Sequence, residues 1–264
     1  MATIGRRELF LAGAAGLAGR VVWGQTRVLA QGYRERAALL EDVVAANRIL
    51  YQHGIVDAFG HVSVRTAPGA GRYLIARSLA PALVATTDIV ELDLDSRPVD
   101  DETRGLYSER FIHGEVYRAR ADVMSVVHCH AAALIPFGVT GAALRPVYHN
   151  ASFVGEGVPV FDIRDAAGET DMLVSSAPLG KALAAVLGAK PALLMRGHGA
   201  VIVGKSIPES VARSVYLETN ARIQAQAMAT GYPVNYLSPE EVAKRGAVDE
   251  FGRAWDLWKR EVSR

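Results

Sequence analysis

The sequence has too few cysteines for a disulfide framework and no surplus of charge of either sign. Cys129 is the only cysteine among 264 residues, so no disulfide can form within one chain. The 29 lysines and arginines and the 28 aspartates and glutamates leave a formal net charge of +1. Binding to nucleic acid requires clustered lysine and arginine, and the sequence contains no such cluster. We therefore expect no nucleic-acid partner.

The overall composition is that of a soluble globular protein, with 50% hydrophobic and 22% charged residues. These proportions argue against a disordered chain, a collagen and a coiled coil. The length allows one large domain or two small ones. It suffices to bury roughly three quarters of the surface that the unfolded chain would expose.

The first thirty residues differ from the rest of the chain. Arg6 and Arg7 precede the apolar, small-residue run 9–18, an order typical of an export signal. Paired arginines suggest the twin-arginine route, and the run is too short and too rich in glycine to span a bilayer. We predict an export signal at 1–30, a periplasmic domain at 31–264 and no membrane partner. The alternative is an N-terminal extension of a cytoplasmic protein.

Hydrophobic periodicity and turn residues predict alternating helices and strands along the rest of the chain. The predicted helices are at 34–53, 109–120, 131–137, 177–187, 208–228 and 238–259, the last of them interrupted near Gly246 and Gly252. The predicted strands are at 60–65, 72–76, 89–94, 125–130, 158–163, 192–195 and 200–203. This pattern predicts a single α/β domain in which helices cover a central sheet.

Three histidines lie where they can converge on one metal ion. If 125–130 is a strand, His128 and His130 project to one side, about 6–7 Å apart, and Cys129 packs on the other. His198 lies between two glycines, which permit the close approach of the backbone to a site. Three histidines with an open position describe a catalytic metal centre. His-x-His pairs also occur in strands without metal, so the residues alone leave both interpretations open.

A glutamate at the start of a predicted helix is a further candidate. Ser108 is suited to cap that helix, and the free backbone N–H groups favour the carboxylate of Glu109. Glu109 can bind the metal, move a proton, or serve as a surface or capping residue. His113, one helical turn later, can brace that carboxylate or cap the helix face.

The order of these motifs resembles the class II aldolase and adducin family. In that family a Ser-Glu pair, here Ser108-Glu109, precedes a His-x-His element, here Val127-His128-Cys129-His130, and a later Gly-His-Gly, here Gly197-His198-Gly199. The resemblance covers roughly residues 35–230. It implies a three-layer α/β/α fold with a mostly antiparallel central sheet, and a homotetramer with active sites between subunits.

The resemblance also implies roles for individual residues. His128, His130 and His198 match the metal ligands of the family, and Glu109 matches its catalytic acid/base. The implied cofactor is one divalent ion. Zinc, manganese and iron all suit three histidines.

Three departures separate this sequence from the sugar-phosphate aldolases of the family. His61 replaces an asparagine in Gly60-His61-Val62-Ser63, Arg77-Ser78-Leu79-Ala80 lacks a glycine, and Tyr107-Ser108 has lost a serine. Because a phosphate needs several convergent donors, we expect a substrate without phosphate. The guanidinium fork matches a carboxylate, and the arginines that can provide one are Arg65, Arg77, Arg145 and Arg164. The predicted substrate-binding residues are Arg77, Ser78, Ser108 and Tyr148.

The stretches 57–63, 136–139 and 145–149 resemble a decarboxylase-like branch of the family, which acts on a hydroxy-methylpyridine dicarboxylate or on dihydroxyphthalates. This implies a metal-dependent carbon–carbon lyase that decarboxylates a small hydroxylated aromatic or heteroaromatic acid. His61 and His149 are then further catalytic candidates. His149 lies where the aldolases of the family carry a tyrosine that reaches a neighbouring subunit's site, and Tyr148 is beside it. An aldolase for a non-phosphorylated hydroxy-keto acid is the first alternative. A non-catalytic adducin-like interaction domain is the second, although the retained histidines and glutamate argue against it.

Overall fold

The computed structural model describes residues 14–246 and 251–263. The chain divides between Glu41 and Asp42 into two compact units, and the site described below lies in the second. Residues 1–13 of the predicted export signal lie outside the described residues, and residues 14–30 belong to the first helix. Among the described residues, no helix combines the length and the apolar character that crossing a membrane requires.

The described residues form eight α-helices. They are α1 (Ala14–Gln52), α2 (Arg110–Ala119), α3 (Ile135–Val139), α4 (Arg164–Ala167), α5 (Ala177–Leu187), α6 (Ile207–Ala229), α7 (Pro239–Gly246) and α8 (Phe251–Val262). Short 3-10 helices occur at Pro81–Leu83, Thr86–Asp88 and His149–Val154. The predicted helix 131–137 begins later than expected, at Ile135. The predicted helix 238–259 is interrupted, with Gly246 at the end of α7, but Gly252 lies inside α8 rather than at a break.

A single sheet of seven strands forms the centre of the second unit. The strands are β1 (His61–Arg65), β2 (Arg72–Ala76), β3 (Ile89–Asp93), β4 (Ser125–Cys129), β5 (Val160–Phe161), β6 (Ala192–Met195) and β7 (Gly199–Gly204). Their order is β3-β2-β1-β4-β7-β6-β5. The β5–β6 pair is parallel and the other pairs are antiparallel, as the resemblance implies. The predicted strand 158–163 is shorter in the structure, where it covers two residues.

Helices cover both faces of this sheet. On one face, α2 and α5 pack together over a buried apolar cluster that includes Val126 of β4. On the other face, α6 packs against β4 and β7. Because side chains alternate along a strand, β4 directs Val126 and His128 towards α2, and Val127 and Cys129 towards α6. The start of α2 and the end of β4 therefore meet on the same face.

Candidate metal centre

The end of β4 presents two histidines to the face that α2 covers. The Nε2 atoms of His128 and His130 lie 3.2 Å apart, and the side chain of His128 is fully buried. Cys129 is buried on the opposite face, where burial raises the pKa of its thiol to about 11. Its predicted role as a packed thiol is confirmed, because its side chain points away from the histidines.

The turn between β6 and β7 brings in the third histidine. Gly197 adopts a φ of +64°, a conformation that L side chains rarely adopt. A Cβ atom at Gly199 would lie 2.0 Å from the carbonyl oxygen of Cys129, so a side chain there would prevent the turn from packing on β4. With both glycines in place, His198 Nε2 lies 3.0 Å from His130 Nε2.

Glu109 completes the group from the position immediately before α2. Glu109, and not Ser108, occupies the N-cap position, and its side chain makes no capping hydrogen bond, which corrects the expected capping by Ser108. Its Oε2 lies 3.2 Å from His128 Nε2 and 3.4 Å from His198 Nε2, and its Oε1 accepts from the Val174 amide at 2.9 Å. Burial alone would raise the pKa of this carboxyl, but when His128 and His198 are protonated their hydrogen bonds and charges outweigh burial and lower it.

These four side chains fit a divalent metal ion. Their ligand atoms all lie within 4.8 Å of one another. His128 Nδ1 donates to the Ala200 carbonyl at 3.2 Å, and His198 Nδ1 donates to the Met172 carbonyl at 3.1 Å. A neutral imidazole that donates from Nδ1 has a lone pair at Nε2. Lone pairs and a carboxylate facing one another repel unless a cation lies between them. Tetrahedral zinc–nitrogen bonds of about 2.0–2.1 Å place two ligand nitrogens about 3.3–3.4 Å apart, close to the 3.0 and 3.2 Å found here.

Two backbone groups that hold this arrangement carry no sequence signal. The Met172 carbonyl orients His198, and the Val174 amide binds Glu109. Met172 has a φ of +68°, which is uncommon for a residue with a side chain. Such outliers persist where the surrounding structure determines them, and they cluster at functional sites.

The structure places His61 beside the four-residue cluster. His61 of β1 is directly opposite His128 of β4 in the antiparallel ladder, and their ring centroids are 5.1 Å apart. The ring of Tyr107, which the sequence analysis did not select, lies 4.5 Å from His61. His113 contacts His61 at 2.6 Å, while the carboxylate of Glu109 contacts Val174 and the histidines. The expectation that His113 braces Glu109 is therefore wrong.

The predicted substrate-binding residues divide into two groups. Arg77 donates to Asp88 at 2.8 Å, and Ser78 is exposed beside it. The Tyr107 hydroxyl donates a hydrogen bond to the carbonyl of Leu79, the residue after Ser78. The segment that contains Arg77 and Ser78 therefore lies next to Tyr107, whose ring packs against His61. Ser108 is exposed between Tyr107 and Glu109. Ser108 therefore adjoins the candidate centre, Arg77 and Ser78 are connected to it only through Tyr107, and the contact of all three with a substrate stays a prediction.

Tyr148 and His149 lie elsewhere in the chain. Their rings pack edge to face at 4.9 Å, and Tyr148 also packs against Tyr216 of α6. His149 lines a separate cavity of about 960 Å³ together with Ser206 and Trp258, and none of the four cluster residues lines it. A single chain therefore does not bring these two residues to the cluster. Their role at a neighbouring subunit's site stays a prediction.

The other arginines selected from the sequence have structural partners. The buried guanidinium of Arg65 donates to the carbonyls of Ala70, Tyr117 and Val123, so Arg65 is a structural arginine and does not bind a carboxylate substrate. Arg164 forms an exposed ion pair with Asp162 at 2.6 Å. The guanidinium of Arg145 lies over the ring of Tyr236 at 3.9 Å.

The fold and the centre agree with a comparison to known families. Residues 41–225 match the model of the class II aldolase and adducin N-terminal domain, and the chain belongs to the class II aldolase and adducin family. Its structure is similar to that of the L-fuculose 1-phosphate aldolase from Glaciozyma antarctica PI12, with a TM-score of 0.73 and 22% identity. That similarity covers 88% of this chain and 90% of the aldolase. The predicted family and α/β fold class are confirmed.

Several relatives in sequence are decarboxylases. Decarboxylase tropJ from Talaromyces stipitatus is 36% identical over 248 residues, which cover 83% of this chain and 92% of the relative. A 3,4-dihydroxyphthalate decarboxylase from Terrabacter sp. is 29% identical over 250 residues, which cover 88% of this chain and 98% of the relative. The resemblance to a decarboxylase-like branch is confirmed, and the similarity supports an enzyme of the lyase type.

Proposed function

We propose that this protein is a metal-dependent lyase that decarboxylates a hydroxylated aromatic or heteroaromatic carboxylic acid. The observation that carries the proposal is the convergence of Glu109, His128, His130 and His198 within 4.8 Å. The similarity to decarboxylases along more than four fifths of the chain supports the choice of reaction.

The four residues suit the chemistry of breaking a carbon–carbon bond next to a hydroxylated carbon. His128, His130 and His198 hold the ion, which when bound acts as a Lewis acid on an oxygen of the substrate. When the bond to the carboxyl group breaks, carbon dioxide leaves and its bonding electrons stay on the ring carbon, which then takes up a proton. Glu109 touches two of the three histidines, and we assign it the acid/base role in that transfer: its ionised carboxylate takes a proton from the substrate hydroxyl and passes it to the ring carbon.

The border of the centre suits a small acidic substrate. Arg77 binds Asp88 through Nε at 2.8 Å, and its terminal N–H groups match a carboxylate. The exposed residues Ser78 and Ser108 follow Arg77 and precede Glu109 in the chain. We assign these three residues to substrate binding. In a homotetramer, Tyr148 and His149 complete the site of a neighbouring subunit. The export signal at 1–30 places the enzyme in the periplasm.

Metal content and carbon dioxide release test the proposal together. Separate portions of purified protein are incubated with zinc, manganese or ferrous ions, desalted, and analysed for bound metal. We expect about one ion per chain, the stoichiometry of a three-histidine centre, and its loss in His128→Ala. The matched control is His53→Ala, which removes a histidine outside the cluster and should keep the ion.

The loaded protein is then supplied with hydroxylated aromatic and heteroaromatic acids, and released carbon dioxide is measured. Release that His128→Ala abolishes supports a decarboxylase. Aldehyde release from hydroxy-keto acids, without carbon dioxide, would replace the proposal by the aldolase alternative. Retention of no metal by the wild-type protein would contradict both enzymes and favour an interaction domain.

A further inference from the structure

A row of buried polar side chains connects His61 to the interior of the protein. His113 and Tyr117 lie four residues apart on α2 and therefore share one face of the helix. His61 and Ser63 lie two residues apart on β1 and share one face of the sheet. These two faces meet, and the four side chains form one hydrogen-bonded chain that ends beside the metal centre.

The contacts along this chain are short and closed to solvent. His61 Nδ1 lies 2.6 Å from His113 Nε2, and His113 Nδ1 lies 2.6 Å from Ser63 Oγ. Ser63 Oγ lies 2.7 Å from the Tyr117 hydroxyl. Ser63 and His113 are fully buried, and Tyr117 and His61 are 2% and 3% exposed. A buried polar group without a partner costs about 1–3 kcal/mol, so the proton at the closed Tyr117 end needs an acceptor within the chain, whereas His61 at the other end borders the candidate centre.

The number of protons available fixes the direction of donation along this row of hydrogen bonds. In the described structure, the Tyr117 hydroxyl contacts Ser63 Oγ and the backbone N–H of Val126. Because an N–H can only donate, Ser63 Oγ is the acceptor for the phenol proton. The single proton of Ser63 then goes to its other partner, His113 Nδ1. A neutral imidazole that accepts at Nδ1 carries its proton at Nε2, so His113 donates to His61 Nδ1. By the same rule, His61 carries its own proton at Nε2.

The opposite direction fails at the buried end. It would make Ser63 donate to Tyr117, and the phenol proton would then have no acceptor in the described structure. Both imidazoles are neutral, as the proton count requires. Burial, reinforced by the nearby His128, lowers the pKa of His113 to about 3.

We propose that His61 acts as a fixed hydrogen-bond donor that presents Nε2–H to an oxygen of the bound substrate, and that His113 and Ser63 are positioning residues that impose this tautomer. The inference rests on the proposed function, since it requires a substrate with acidic oxygens at the centre beside His128. With Nδ1 held by His113 and Nε2 protonated, His61 cannot serve as a general base. This leaves Glu109 as the acid/base group.

The tautomer is measurable without substrate. Protein labelled with ¹⁵N-histidine and loaded with diamagnetic zinc is studied by long-range ¹H–¹⁵N NMR, in which protonated and unprotonated ring nitrogens have very different shifts. The His61 signals are assigned by their loss in His61→Gln. We expect His61 and His113 to be protonated at Nε2 and unprotonated at Nδ1. Protonation of His61 at Nδ1 would overturn the proposal, whatever the activity of the enzyme.

Two matched hydroxyl deletions distinguish a directing chain from ordinary packing. Ser63→Ala removes the donor to His113, so the His61 signals should shift towards a mixture of the two tautomers. Tyr117→Phe removes one buried hydroxyl as well, but it leaves Ser63 to donate to His113, so His61 should stay protonated at Nε2. Equal effects of the two deletions would overturn the proposal. Ser63→Thr keeps the hydroxyl and should restore the tautomer.

Activity gives a second readout once a substrate is found. His61→Leu should lower kcat/KM by roughly 10- to 150-fold, the value of a hydrogen bond to a charged group. His61→Gln keeps an N–H near the Nε2 position and should recover part of that loss. Both variants should bind as much zinc as the wild type, because His61 is not a ligand. A His61→Leu variant with full kcat/KM would contradict the donor role. Inactivity of the wild type towards every acid, with the expected tautomer, would contradict the proposed reaction instead.

Discussion

Replacing Glu109 with glutamine separates metal binding from proton transfer at the candidate centre. Glutamine has the shape of glutamate, but it neither holds nor releases a proton at neutral pH. The oxygen that accepts from the Val174 amide at 2.9 Å is kept, so the local backbone retains its bond. The change therefore removes one charge and one titratable group from the cluster and little else.

The structure sets the size of the expected effect. The three imidazoles remain, with His130 Nε2 at 3.2 Å and 3.0 Å from the Nε2 atoms of His128 and His198. Three imidazole ligands suffice to bind one divalent ion, so the Glu109→Gln variant should retain its metal. General acid–base catalysis contributes roughly 10²–10⁴-fold, which corresponds to about 3–5 kcal/mol in the barrier. We expect kcat to fall by that factor.

The assay is carbon dioxide release by metal-loaded protein, with the ion content of each sample measured in parallel. Glu115→Gln is the matched control, because Glu115 is a buried glutamate of α2 that pairs with Arg118 at 3.4 Å, outside the cluster. Normal turnover by Glu109→Gln would refute the acid/base role. Loss of the ion from Glu109→Gln would show that Glu109 acts chiefly as a ligand.

Three further predictions test the surroundings of the centre. Gly199→Ala places a Cβ atom 2.0 Å from the Cys129 carbonyl of β4. Denaturant titrations should therefore show a loss of about 1–3 kcal/mol in the free energy of unfolding. Gly252→Ala, which has open space around it, should leave that free energy unchanged. Arg77→Ala should raise KM with little change in kcat if it holds the substrate carboxylate before and during reaction, and Arg72→Ala, an exposed control, should leave KM unchanged. Replacing the Arg6-Arg7 pair by lysines should retain an unprocessed precursor in the cytoplasm, and N-terminal sequencing of periplasmic protein checks this.

The alternation of side chains in β4 is predictable from the sequence because it is a local property. Residues two apart on a strand share a face whatever surrounds them. The prediction that His128 and His130 lie together, with Cys129 packed on the other side, is confirmed by the 3.2 Å between the two imidazoles. The position of His198 next to these two histidines is predictable only from the family motif and from the glycines on either side of it.

Contacts between distant segments are not predictable in this way. The groups that hold His198 and Glu109 are a carbonyl and an amide of residues 172–174, and every residue type supplies such groups. His113 illustrates the same limit. Its neighbour Glu109 on the same helix is visible in the sequence, but its hydrogen-bond partners, His61 and Ser63, lie on β1. The sequence shows which residues share a helix face, but not which strand will pack against it.

The register of the β1–β4 pair links this buried chain to the metal centre. His61 is opposite His128, and Ser63 is opposite Val126. A slip of β1 by one residue would turn His61 and Ser63 to the other face of the sheet. It would leave His113 without its partners, at a cost of about 1–3 kcal/mol for each buried polar group. The valines of β1 do not fix the β1–β4 register in this way, because apolar side chains can pack on either face of the sheet. The polar side chains that orient His61 thus also specify the strand pairing that brings it to His128, so a variant such as Ser63→Ala should weaken both.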